Sequence, residues 1–131
     1  MASSRQNAPS LASQCRPRLK LWLEFEGEHV FCSGMCQILQ AVEKTGSIKD
    51  AATAIGKSYR FVWDKIKRSE KALGQTLVDA QVGGRGPRRS SLSPLGTQLV
   101  QEFLTLRKEL LQLADSHFAT TKGKTAKSRA R

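Results

Sequence analysis

The sequence lacks most of what would send a chain to a membrane, an oxidising compartment or a catalytic role. No apolar run approaches the roughly 18–20 residues that span a bilayer, so no membrane partner is expected. Met1 to Gln14 has no apolar stretch of the secretory kind. Cysteine occurs three times (Cys15, Cys32, Cys36), an odd count that argues against a disulfide framework. Only two histidines are present, His29 and His117, far apart and outside any nucleophile or acid–base pattern. The glycines at 83, 84 and 86 lack the Lys-Ser/Thr ending and strand-to-helix setting of a phosphate loop. The expectation is a cytoplasmic, non-enzymatic protein with no cofactor and no evident small-molecule ligand.

Negative charge is also scarce. Eleven acidic residues face 22 Lys and Arg among 131 residues, a formal net charge of +11 and a pI near 10.2. Such a surface attracts polyanions, nucleic acid foremost. The excess is unevenly spread. Ser47 to Gln75 carries +4, Leu21 to Gly46 carries −3, and the stretch from Thr120 adds +5 through Lys122, Lys124, Lys127, Arg129 and Arg131.

The length suits one ordinary domain with tails. Residues 1–17, rich in Ser, Ala, Gln and Asn without periodicity, read as a disordered arm, and residues 119–131 as a disordered basic tail. Between them, Leu19, Leu21, Leu23 and Phe25 alternate with Lys20, Trp22 and Glu24, the period of a half-buried strand. Glu26-Gly27-Glu28 then turns the chain into a second strand ending near Cys32.

Met35, Ile38, Leu39 and Val42 mark one face of a helix closed by Thr45-Gly46. Ile48, Ala51, Ala52 and Ile55 repeat that spacing after a capping Ser47, and Gly56-Lys57 breaks it. Ser58 caps a third helix whose inward face is read as Tyr59, Val62, Trp63, Ile66 and Leu73, ending at Gly74. Trp22 and Trp63 read as core or interface residues. Two short strands follow, flanking a loop of Gly83, Gly84, Arg85, Gly86, Pro87, Arg88 and Arg89. Ser93-Pro94 starts a last helix, about 94–118, with Leu99, Phe103, Leu106, Leu110 and Leu113 spaced as a heptad seam suited to a homodimer interface.

Three helices followed by a β-hairpin is the winged helix-turn-helix plan, here over residues 18–118, mainly α with small β-hairpins. Ala52 is small where two helices must meet, Gly56 permits the turn, and Val62 packs the third helix back onto the second. The outward face then holds Arg60, Phe61, Asp64, Lys65 and Arg68, with Lys57 and Ser58 at its start. A recognition helix sets such residues against base edges of double-stranded DNA in the major groove, arginine and lysine on guanine and Phe61 on a thymine methyl. Arg85, Arg88 and Arg89 suit the backbone or a narrow minor groove.

Two motifs, GSIKDAATAIGKSYRFVWDKI at 46–66 and LVDAQVGGRGPRRSSLSPLG at 77–96, resemble the DNA-binding domain of the molybdate-responsive transcriptional regulator (ModE) family and, more distantly, LysR-type regulators. The similarity spans about Leu19 to Leu113. It implies a dimeric winged-helix transcriptional regulator reading a palindromic operator, its last helix pairing the subunits. The molybdate function does not carry over, because in that family a separate C-terminal domain binds the oxyanion, and here a short basic tail stands where that domain would begin. The wing departs from the family's longer glycine run at Gly86-Pro87-Arg88-Arg89.

The sequence also admits two rival readings. One is a nucleoid-associated protein binding DNA without sequence preference; the other is a protein–protein interaction module with an incidental basic surface. A metal site at His29, Cys32 and Cys36 offers three ligands where structural zinc wants four, so packed cysteines are the expectation and no metal is assigned.

Overall fold

The computed structural model describes residues 10–81 and 89–130, with side chains of the last helix as far as Phe118. Two compact units are formed, one by Leu21–Thr105 and the other by the flanking stretches. In the larger unit the first hairpin pairs β1 (Trp22–Phe25) with β2 (Glu28–Cys32), antiparallel. Glu26 and Gly27 both have positive φ, 50° and 79°, the signature of a two-residue type I′ turn whose twist matches that of the strands. The ladder slips between Leu23 and Glu24. Beyond that slip Phe25 is exposed rather than inward, while Leu21 and Leu23 pack against the core. Trp22 is exposed too, on the side that strand alternation assigns it. Its Nε1 donates to Glu24 Oε2 at 3.1 Å and its ring stacks on His29.

Three helices follow: α2 (Ser33–Thr45), α3 (Ile48–Ile55) and α4 (Tyr59–Leu73), each stopped by a glycine in the left-handed region (Gly46, Gly56, Gly74). A single helical turn, α1 (Leu11–Gln14), belongs to the smaller unit. Ser10 caps that turn by accepting from Ser13 N at 3.1 Å. It lies inside the stretch read as a disordered arm, whose polar composition concealed a capping serine followed by two helix formers, Leu11 and Ala12.

The second hairpin pairs β3 (Val78–Gln81) with β4 (Arg89–Leu92). The last helix, α5 (Pro94–Ala130), runs past the expected end at 118 and takes in most of the stretch read as a basic tail. Lys, Ala and Arg are good helix formers, and no proline interrupts the run, so charge there gave no reason for the backbone to leave the helix.

The core of the larger unit is built from Phe31, Leu39, Val42, Val62, Ile66, Leu77 and Phe103, with Ala51 and Ala52 fully covered where helices approach. Phe103 is 1% exposed, and its ring meets Phe31 edge-on at 5.3 Å between centroids. Heptad spacing had set Phe103 on a subunit seam; the structure makes it a core residue. The first turns of α5 face the domain's own interior, which takes Phe103, Val100 and, in part, Leu99.

Two polar anchors fix the second hairpin. Ser93 caps α5: its hydroxyl accepts from Gly96 N at 3.0 Å and donates to the Thr76 carbonyl at 2.7 Å. A Cβ at Gly96 would run into the Leu77 carbonyl, so this close approach of helix to chain requires glycine. On the other edge, Ser90 N donates to the Gly46 carbonyl at 2.7 Å, tying β4 to the turn after α2.

Candidate nucleic-acid interface

The corner before α4 has the expected build. Gly56 sits at φ 72°, and Lys57 N donates back to the Ala52 carbonyl at 2.9 Å, so the chain reverses within three residues. Ser58 then caps α4, its Oγ accepting from Phe61 N at 3.0 Å. Accepting that bond leaves the hydroxyl proton available to donate to a phosphate. Val62 and Ile66 bury one stripe of α4, and its opposite side reaches solvent.

On that side, Lys57, Ser58, Arg60, Phe61, Lys65 and Arg68 are all exposed. Lys57 Nζ and Lys65 Nζ stand 5.4 and 5.5 Å from the centroid of the Phe61 ring, a pair of cations held on one aromatic ring. Arg60 Nε lies 3.7 Å from Asp64 Oδ2, one turn on. Both side chains are largely solvated, so the pair is worth little and leaves Arg60 available.

Periodicity places Tyr59 and Trp63 on the inward face, whereas the structure leaves them 48% and 38% exposed. On a helical wheel both lie near the buried stripe. They belong to the first turns of α4, where the packing partners that cover Ile66, Ser69 and Glu70 further along do not reach. Together with Arg60 they line a shallow surface depression, and Lys67 Nζ rests 5.6 Å from the Trp63 ring centroid. Periodicity names a side chain's direction; it does not say where the cover stops. Sequence reasoning thus misses an exposed aromatic pair at the start of α4.

Glu70 was not singled out by sequence either. It is 8% exposed, near the end of α4, and its Oε2 accepts from Leu77 N at 2.7 Å and Val78 N at 3.1 Å. Lys67 Nζ is 3.2 Å from its other oxygen. One carboxylate therefore joins α4 to the base of the second hairpin. Of the three hairpin arginines, Arg89 is exposed at the start of β4, while Arg85 and Arg88 lie outside the described residues.

Of the five seam positions, Leu99 and Phe103 pack within the larger unit. In the smaller one Leu106 is exposed, Leu110 half-buried and Leu113 68% exposed. Among the described residues no three His, Cys, Asp or Glu side chains gather to hold a metal. Cys36 is buried with its Sγ 3.9 Å from Gln40 Oε1, and His29 is turned to Trp22. No helix among the described residues is long and apolar enough to cross a membrane.

A hairpin-flanked trio of helices with a tight corner before the third defines the winged helix-turn-helix class. Residues 35–97 match the family described as "Bacterial regulatory helix-turn-helix protein, lysR family". The chain is similar to the molybdenum-pterin-binding protein MopB of Rhodobacter capsulatus, 30% identical over 79 residues, 60% of this chain and 29% of that protein. It is also similar to the transcriptional regulator ModE of Yersinia pestis, 33% identical over 64 residues, 49% of this chain and 24% of that protein. The chain thus spans under a third of the length of these relatives. Among solved structures, the BenM_DBD/benA site 1 DNA complex matches with a TM-score of 0.51 at 21% identity, covering 69% of this chain and 96% of that one, which fixes the fold.

Proposed function

We propose that the chain binds double-stranded DNA sequence-specifically, as a homodimer, and regulates transcription from the cytoplasm without catalysing a reaction. Helix α4 enters the major groove, with Lys57, Ser58, Arg60, Phe61, Lys65 and Arg68 as its contacts and Tyr59 and Trp63 flanking them. The wing, residues 83–91, reaches the backbone or the minor groove through Arg85, Arg88 and Arg89. Leu106, Leu110 and Leu113 pair two copies.

The observation that carries this reading is the exposed cationic face of α4, seated on buried Val62 and Ile66 and aimed by the corner at Gly56. Recognition helices of this motif read bases with such side chains. The match of residues 35–97 to regulatory helix-turn-helix proteins, and the likeness to the transcriptional regulator ModE, support it.

Selection of bound fragments from genomic DNA, followed by titration of the best fragment and of random duplex, tests it. A regulator prefers its own site by about 10³-fold or more at physiological salt. Equal affinity for both duplexes would replace this reading with that of a nucleoid-associated protein lacking sequence preference.

A further inference from the structure

A cavity of about 230 Å³ lies within the larger unit, between β2, the start of α2 and the reading helix. Its apolar wall is made by Val30, Met35, Ile38, Ile55 and the Phe61 ring. Lys57, Lys65 and Arg68 also line it, with Gln37, Ser69 and His29 adding polar groups. None of its lining residues is acidic. Neither the Arg60–Asp64 nor the Lys67–Glu70 ion pair involves Lys57, Lys65 or Arg68, so these three cations edge the cavity without a carboxylate in its lining.

An apolar pocket edged by uncompensated positive charge has a definite complement. Water satisfies the cations but not the wall, and a bare inorganic anion does no better. A DNA phosphate, fixed in a rigid polar backbone, cannot bury an apolar surface here. A compact molecule with an apolar body and one acidic head satisfies both. The volume exceeds the roughly 150 Å³ of a cavity that takes benzene, and falls below that of drug-sized sites.

We propose that this cavity is a binding site for a small amphipathic organic acid, a monocyclic or short-chain carboxylate, and that its occupation weakens DNA binding. The acid's head group draws Lys57, Lys65 and Arg68 toward the cavity, and its body packs under Phe61. The effect on DNA rests on the reading of α4 given above, because those side chains are its proposed contacts. Binding energies are reciprocal, so DNA expels the acid to the same degree.

The probe is 3-phenylpropanoate, titrated at millimolar concentration into 15N-labelled DNA-free protein, with 3-phenylpropanamide and inorganic phosphate as parallel arms. Saturable amide shifts at His29, Gln37 and Ser69 with the acid, and weaker ones with the amide and phosphate, are expected. Gln37→Glu, which adds a negative charge beside the cavity at a surface position, lowers the acid's affinity about tenfold while the folded spectrum persists. No saturable shifts, or equal response to the amide or to phosphate, overturns the site.

Duplex titrations at low salt with and without the acid then read the coupling, expected as about a tenfold loss of DNA affinity. Unchanged affinity overturns the regulatory half of the proposal. If the protein ignores duplex altogether, the DNA reading falls, while the amide shifts still decide the cavity.

Discussion

Glu70 concentrates more structural duty than any other charged side chain described. A buried carboxylate accepting two backbone N–H bonds leaves both donors stranded if removed. Glu70→Ala is expected to cost about 2–3 kcal/mol, the scale of losing charge-assisted hydrogen bonds in a buried setting. A lowered denaturant midpoint at constant slope measures it, and an unchanged midpoint refutes it. Arg60 is the opposite kind of residue: solvated, loosely paired and without structural duty. Arg60→Ala should leave stability alone and relax selectivity at one base pair of the operator by about 1–3 kcal/mol. Footprints indistinguishable from the parent's would move the reading role to other side chains.

At the level of elements, the proposed function gives the hairpin and the helix separable contributions to binding. Replacing Arg88 and Arg89 by alanine is expected to flatten the salt dependence of DNA affinity, by about one unit of slope for each phosphate the wing no longer neutralises. An identical slope would show that the hairpin stays clear of the duplex. Elements were also where sequence patterns spoke most clearly. Glycines at 46, 56 and 74 end three helices because only left-handed geometry closes them there, and Ser47, Ser58 and Ser93 begin helices by capping. These are local rules, legible in a few residues. The exposure of Tyr59 and Trp63, the burial of Phe103 and the bond from Glu70 to Leu77 depend on which distant segment arrives opposite. No periodicity carries that information. The candidate face of α4 was accordingly half legible: its charged members follow from the corner, while its aromatic flank needed the fold.

For the whole molecule, the open question is assembly. With Phe103 and much of Leu99 committed to the domain's own core, the pairing surface proposed above reduces to Leu106, Leu110 and Leu113. Leu110→Glu is expected to yield monomers in sedimentation that bind a half-site weakly and a full palindrome no better, since two linked half-sites raise avidity only in a dimer. A parent protein that sediments as a monomer would remove the dimer from the account. Phe103→Ala makes a useful contrast, because a core aromatic removed from its partner Phe31 lowers stability by about 3–5 kcal/mol whatever the oligomer does.

The tie from Glu70 to the Leu77 and Val78 amides also sets a limit for redesign. If α4 reads the operator as proposed, positions 57–68 can be exchanged at their solvent-facing sites as a cassette, keeping Ser58, Val62 and Ile66, to retarget the protein. Grafts that run on through position 70 sever the latch on the hairpin and disturb helix and wing at once. A specificity library should therefore stop at Arg68.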